Sequence, residues 1–137
     1  MSQSVSFILP VRDMQYGLRD RVQTILEVLG ELTREFGVLI IDHGSRDETR
    51  DVALDLVREF PQVDFLERSG HDDLLAAIES GIHRTSGEII FVHDPSLPLA
   101  LSALRSLWQM RNDDDLVMAQ SRSSTGTRRS NLDLTSG

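Results

Sequence analysis

The chain has 137 residues, a formal net charge of −8, no cysteine and 39% apolar residues. This length and apolar content predict one domain with a hydrophobic core. The acidic balance argues against a nucleic-acid backbone or an anionic membrane as a partner, and the lack of cysteine excludes disulfides and thiolate metal sites. No apolar run approaches about 18 residues, and the N-terminus has no signal-peptide pattern, so we expect no membrane insertion and a cytoplasmic location.

Short apolar runs alternate with stretches that have apolar residues at helical spacing. The predicted strands cover 5–9, 38–41, 63–66, 88–92 and 116–119. The predicted helices cover 16–35, 47–60, 71–84 and 99–110. This alternation predicts an α/β fold of three layers, in which a mainly parallel sheet has helices on both faces. The first strand is expected at the centre, in the order 3-2-1-4, with the third strand at an edge.

Three local features complete this prediction. Pro10 is expected to end the first strand, and the third helix is expected to bury Leu74, Leu75, Ile78 and Ile82. Residues 121–137 are rich in Ser, Thr, Gly and Arg. Because such a segment has little apolar surface to offset its ordering entropy, we expect a disordered tail after a domain that spans residues 1–120.

The segment 42–45 reads Asp-His-Gly-Ser and follows the second predicted strand. Ser45 and Glu48 have the spacing of a capping box, which predicts that the next helix begins here. A strand, an acidic loop and a helix N-terminus therefore meet at one point, which is where open α/β sheets bind ligands. Asp42 either contacts such a ligand or serves only as a turn residue.

Three segments carry a resemblance to a known family. The segment 42–45 resembles the Asp-Asp-Gly-Ser motif of the family-2 glycosyltransferases, 5–13 resembles the opening strand and turn of that family, and 81–94 resembles its approach to the metal motif. The order and spacing agree over roughly residues 4 to 121. The resemblance implies the nucleotide-binding half of a Rossmann-like GT-A fold, which takes a sugar from a nucleotide-sugar donor. The residues that it implies for donor binding are Pro10, Val11, Asp13, Asp42, His43 and Asp94.

The sequence departs from the family where the motifs carry chemistry. His43 occupies the position of the second Asp, and the Asp-x-Asp metal motif reads Asp94-Pro95-Ser96. Serine is a poor ligand for the Mn²⁺ or Mg²⁺ that the resemblance implies, because hard cations on phosphates favour anionic oxygen. The family's Ala-Arg-Asn becomes Ala-Ile-Glu at 77–79. Family catalytic domains also run well past this length, so the acceptor site and the catalytic base are expected to be missing. We therefore expect weak or absent transfer, or alternatively a non-catalytic pseudoenzyme that serves as a binding or interaction module.

Two histidines give a further metal hypothesis. His43 and His93 each follow or end a predicted strand beside an aspartate, Asp42 or Asp94. Imidazole and carboxylate groups suit zinc or another transition metal, so His93 and Asp94 are candidate metal ligands. The alternative is that His43 is a neutral loop substitution and that His93 packs in the core.

The last predicted helix suggests an assembly. Apolar residues between 97 and 108 outnumber the positions on one helix face, and a large exposed apolar patch usually marks an interface. These residues are Leu97, Leu99, Leu101, Leu104, Leu107 and Trp108. We therefore expect a homodimer or a tight protein partner, with Trp108 near the centre of the interface.

Overall fold

The structure is a computed structural model, and it describes residues 3–69, 73–93, 101–110, 119–120 and 124–128. The strands are β1 Val5–Val11, β2 Phe36–His43, β3 Val63–Arg68, β4 Ile89–His93, β5 Ala119–Gln120 and β6 Ser124–Arg128. The helices are α1 Leu18–Leu32, α2 Thr49–Glu59, α3 Leu74–Arg84 and α4 Leu101–Gln109. Within these ranges no helix combines the length and the apolar character needed to cross a bilayer.

The sheet has the strand order β3-β2-β1-β4-β6-β5. Strand β1 is central, because it pairs in parallel with both β2 and β4, and β3 lies at an edge. The predicted parallel order 3-2-1-4 is therefore confirmed. Two antiparallel strands extend the sheet beyond β4, since β6 pairs with β4 and β5 pairs with β6.

Helices cover both faces of the sheet, which confirms the three-layer α/β prediction. One core includes side chains of α1, α2 and α4 packed on Phe7, Leu9 and Ile40, and we call this side the first face. The other core includes α3 packed on Ile8 and Ile41, and we call this side the second face. Successive side chains of a strand point to opposite faces. Strands buried on both faces therefore read as continuous apolar runs, as they do here.

Helix α3 packs on the second face through small residues rather than through its leucines. Leu74 and Leu75 are 39% and 65% exposed, so the prediction that both are buried is wrong. Ala77 and Gly81 are buried instead, and a Cβ added at Gly81 would lie 2.7 Å from Ile41 Cδ1. The small side chains let the helix approach the sheet closely, while Leu74 and Leu75 lie toward solvent.

Strand β1 continues through Pro10 to Val11, so the prediction that Pro10 ends it is wrong. The pairing of β1 with β4 ends at Ile8, whereas the pairing with β2 continues to Val11. Beyond Ile8 the strand therefore has one paired neighbour, and there the missing N–H donor of proline is tolerated as it is at a sheet edge.

Two predictions about the C-terminal part of the chain need correction. Ser124–Arg128 form β6, although the composition of residues 121–137 predicted disorder. The antiparallel bonds to β4 supply the backbone partners that composition cannot reveal. Trp108 is only 8% exposed and packs in the first-face core with Leu104 and Leu107. Its predicted place at the centre of an interface is therefore wrong, and Leu97 and Leu99 lie outside the described residues.

Candidate functional site

The candidate site lies at the carboxyl edge of the parallel strands. The β1–α1 loop, the β2–α2 loop and the last residue of β4 all reach this edge. Connections from β1 lead to β2 on one side, while β4 lies on the other side, so β1 and β4 form the switch point of the sheet. In open α/β sheets, ligands bind in the crevice at such a point.

The two loops are joined by reciprocal hydrogen bonds, which we call the loop latch, formed by residues 13–15 and 45–49. In one direction, the backbone N–H groups of residues 13, 14 and 15 donate to side chains of the second loop. Their acceptors are Ser45 Oγ at 2.9 Å, Thr49 Oγ1 at 2.7 Å and Asp47 Oδ2 at 3.2 Å. Three backbone donors of the first loop are thus satisfied without any backbone carbonyl.

In the other direction, side chains of the first loop cap the start of α2. Asp13 Oδ1 accepts from the N–H groups of Arg46 and Asp47, at 2.7 and 3.3 Å. Gln15 Oε1 accepts from the Glu48 N–H at 2.8 Å. The predicted capping box from Ser45 to Glu48 does not form, because Glu48 is the N-cap residue and makes no side-chain capping bond. The N–H groups of residues 46–48, which lead into α2, and that of Thr49, its first residue, are therefore bonded within the protein.

Two residues, one in the latch and one directly before it, have left-handed backbone conformations. Gly44 has φ of 76°, which glycine adopts without cost. Asp13 has φ of 49°, which is uncommon for a residue with a side chain and is tolerated best by Asn and Asp. This conformation accompanies the two bonds from Asp13 Oδ1 to the second loop. The structure therefore gives Asp13 a role in joining the loops, while its predicted contact with the donor stays a prediction.

Asp47 is the acidic centre of the latch. Partial burial raises the pKa of its carboxyl group, but hydrogen bonds from the Thr49 side chain, the Thr49 N–H and the Gln15 N–H outweigh this effect. The net result is a pKa below the ordinary value of 3.8. A carboxylate that accepts several bonds is stabilised in its charged form, so the latch favours ionised Asp47.

Asp42 lies beside the end of β1 and is 3% exposed. It pairs in register with Val11, which follows Pro10, so three predicted donor-binding residues share one corner of the sheet. Asp42 Oδ1 accepts from the Ser45 N–H at 3.1 Å, which is the turn geometry expected from its place before Gly44. Among the described residues no other donor bonds this carboxylate.

His43 and His93 lie on opposite faces of the sheet. His43 follows Asp42 and shares the second face with Ile41, whereas His93 shares the first face with Phe91. Strands β2 and β4 are also separated by β1, so they lie roughly 10 Å apart. This arrangement argues against one metal ion held by both imidazoles.

His93 is fully buried at the end of β4, where its side chain contacts Arg21 of α1. Its Nε2 lies 3.2 Å from Nη1 of Arg21, which is in the first turns of that helix. A guanidinium group can only donate, so Nε2 is the acceptor and the imidazole is neutral with its proton on Nδ1. In this structure the Nε2 lone pair of His93 accepts from Arg21.

The described residues do not by themselves supply a donor set for a divalent cation. No group of three or more His, Asp or Glu side chains within them is arranged to hold a metal ion. Asp94 and Ser96 lie outside the described residues, so the predicted ligand pair of His93 and Asp94 stays a prediction.

Sequence reasoning missed Arg21, Gln15 and Thr49. Arg21 is three residues after the core residue Leu18, a spacing that places a charge beside the buried face of a helix. That spacing was the one feature of the sequence that could have indicated Arg21. The roles of Gln15 and Thr49 depend on contacts across more than thirty residues of sequence, so no local pattern indicates them.

Comparison with known proteins identifies relatives of this domain. The family model described as "Glycosyl transferase family 2" matches residues 6–132. No curated protein sequence matches the chain. Many solved structures do, and they are glycosyltransferases of the GT-A fold.

Three of these structures illustrate the similarity. A mannosyltransferase from Pyrobaculum calidifontis in complex with GDP-Man and Mn²⁺ has a TM-score of 0.70 at 13% identity, and the match covers 100% of this chain and 48% of that one. Glucosyl-3-phosphoglycerate synthase from Mycobacterium tuberculosis, in complex with Mn²⁺, UDP and glucosyl-3-phosphoglycerate, has a TM-score of 0.61 at 11% identity, with coverages of 94% and 58%. Mannosyl-3-phosphoglycerate synthase from Rubrobacter xylanophilus has a TM-score of 0.59 at 16% identity, with coverages of 85% and 39%. The chain thus spans about half the length of the first two structures, and the similarity establishes the fold.

Proposed function

We propose that this chain, which belongs to glycosyl transferase family 2, binds the nucleotide part of a nucleotide-sugar donor at the carboxyl edge of its sheet. The observation that carries the proposal is the corner formed by Asp42 and the end of β1. Asp42 is buried there, and only one of its carboxylate oxygens accepts a bond from the described residues. A carboxylate in that position suits a ribose hydroxyl or a base N–H.

The comparisons support the ligand class. The structure from Pyrobaculum calidifontis contains GDP-Man, and the one from Mycobacterium tuberculosis contains UDP. Both structures also contain Mn²⁺. For this chain we propose a donor of the same class, with a guanine or uracil base.

We further propose that sugar transfer is weak or absent and that Mn²⁺ or Mg²⁺ improves binding little. His43 replaces a family carboxylate, and Ser96 stands at the last position of the metal motif. Hard divalent cations favour anionic oxygen ligands. These substitutions favour a module that binds a nucleotide without catalysing sugar transfer.

Calorimetric titration with UDP-sugars and GDP-sugars, with and without Mn²⁺, tests this function. We expect a dissociation constant on the order of 1 mM that the metal changes little. Asp42→Asn keeps an oxygen that can accept the Ser45 N–H but removes the negative charge, so it should weaken nucleotide binding without unfolding the turn. Asp64→Asn is the control, because Asp64 is an exposed carboxylate in β3 that bonds Arg84.

A double variant tests the effect of the motif substitutions. His43→Asp combined with Ser96→Asp should introduce metal-dependent binding. Tight, metal-dependent binding by the unaltered chain would contradict the proposed loss of transfer chemistry. Equal binding by the Asp42→Asn variant and the unaltered chain would contradict the proposed site.

A further inference from the structure

Arg21 stands out among the arginines of the domain. It is half-buried, and its guanidinium is directed at the end of β4 by the bond to the buried His93. Arg19, Arg50, Arg58, Arg84 and Arg105 each pair with a carboxylate, and the arginines at 12, 34 and 46 are exposed. Among the described residues no carboxylate pairs with Arg21, whose bonded partner is a neutral imidazole. Because no carboxylate in the described part of the chain balances this partly buried cation, the site favours an anion.

The position of Arg21 fits the switch point. It lies on the first face, beside the end of β4, and Asp42 projects on the same face across β1. A phosphate chain that crossed β1 from the Asp42 corner toward β4 would come close to this guanidinium. The first turns of α1 thus place a positive charge beside the end of β4.

The loop latch bonds several N–H groups near the start of α2. Those of residues 46–48 bond Asp13 and Gln15, and that of Thr49 bonds Asp47, so fewer donors there are left for an anion. The protein also has a net charge of −8, so a diphosphate needs a local cation to approach the edge. Arg12 and Arg46 are exposed on the loops, whereas Arg21 is held in place by a buried partner.

We propose that Arg21 binds the diphosphate of the donor and supplies positive charge there without a metal ion. This inference rests on the proposed function for the identity of the ligand, but the anion site itself does not depend on the nucleoside. One guanidinium donor bonds His93, and the remaining donors of the planar fork match phosphate oxygens.

Calorimetric titrations in EDTA test the Arg21 anion site separately from nucleoside binding. The probes are UDP, GDP, the corresponding nucleosides and inorganic pyrophosphate. Arg21→Gln removes the charge while keeping an N–H donor for His93. We expect it to weaken diphosphate binding about tenfold and to leave nucleoside binding unchanged, since a charge-assisted bond is lost. Arg34→Gln is the matched control, because Arg34 is exposed just beyond the C-terminal end of α1, and this variant should bind every probe as the unaltered chain does.

The outcomes distinguish failure of this inference from failure of the proposed function. If Arg21→Gln binds diphosphates as the unaltered chain does, or weakens nucleosides and diphosphates equally, the inference is overturned. If nucleosides do not bind but pyrophosphate binds through Arg21, the anion site stands and the nucleotide function falls. If neither pyrophosphate nor any diphosphate binds the unaltered chain, the inference is overturned. Arg21→Lys, which keeps the charge, should retain most of the pyrophosphate affinity, and its loss in a folded Arg21→Lys variant would also count against a charge-based site.

Discussion

At the amino edge of the sheet, both backbone carbonyls and side chains join neighbouring segments, whereas at the carboxyl edge the bonds between the two loops all use a side chain. The N–H groups of Val5, Val38 and Ile89 donate to carbonyls of adjacent segments at 2.9 to 3.0 Å. The loop latch at the other edge bonds backbone donors to the side chains of Asp13, Gln15, Ser45, Asp47 and Thr49. Side-chain bonds can change with sequence while the strands stay fixed. The carboxyl edge, whose loops depend on side chains alone, is therefore suited to function, and the amino edge, which backbone bonds also hold, is suited to stability.

The largest expected effect is at the amino edge. A Cβ at Gly87 would lie 2.4 Å from Ser6 N and 2.8 Å from the Val5 carbonyl carbon, so Gly87→Ala forces the backbone to move. We expect a loss of about 3 kcal/mol in the free energy of unfolding, measured by denaturant titration. Gly30→Ala is the control, because its Cβ would meet only Phe36 ring atoms at 3.7 and 3.9 Å. Gly30→Ala should stabilise α1 by about 0.5 kcal/mol, and equal effects at both glycines would refute the close packing of this edge.

A smaller loss is expected in the loop latch. Asp13→Ala removes the acceptor of two N–H groups and puts alanine at φ of 49°, so it should cost about 1–2 kcal/mol, as the loss of a helix cap does. Asp13→Asn keeps an oxygen acceptor and tolerates the left-handed conformation, so it should cost much less. Denaturant titration compares the two variants. If both lose the same stability, charge rather than hydrogen bonding holds the latch.

The smallest effect is a dependence of stability on pH. The folded pKa of Asp47 is below its ordinary value of 3.8, so the contribution of its carboxylate is complete above 3.8 and is lost as the pH falls through the folded value. The stability difference between the unaltered chain and Asp47→Asn should therefore be constant near neutral pH and should shrink below pH 3.8. Thermal melts across this range measure the difference. A difference that grows on acidification would show that the pKa shift has the opposite sign.

The sheet was predictable from the sequence because its strands are apolar runs, and the order 3-2-1-4 follows from the right-handed crossovers of parallel strands. The packing of α3 was not predictable. The absence of a side chain at Gly81 sets how close the helix lies to the sheet, whereas in the sequence the leucines at 74 and 75 are the stronger indication of a buried face. Strand β6 was missed because its residues are polar. Only its antiparallel pairing with β4, which the sequence does not show, identifies it as a strand.

The candidate site divides in the same way. Asp42 and the segment 42–45 were visible as a strand that runs into an acidic turn, and the structure places them at the carboxyl edge. The bond between Arg21 and His93 joins residues 72 positions apart, so only the folded chain brings them together. The opposite faces of His43 and His93 follow from strand register, which the sequence alone does not supply.

Amide NMR titration with UDP and with GDP tests most directly whether the carboxyl edge binds a nucleotide. At ligand concentrations on the order of 10 mM, weak binding still shifts amide resonances. We predict that the largest shifts occur at Val11, in the loops 12–15 and 43–48, and at His93, while residues 4–6 and 86–88 of the amino edge stay unchanged. Shifts confined to the amino edge, or none at saturation with either nucleotide, would contradict nucleotide binding at this site.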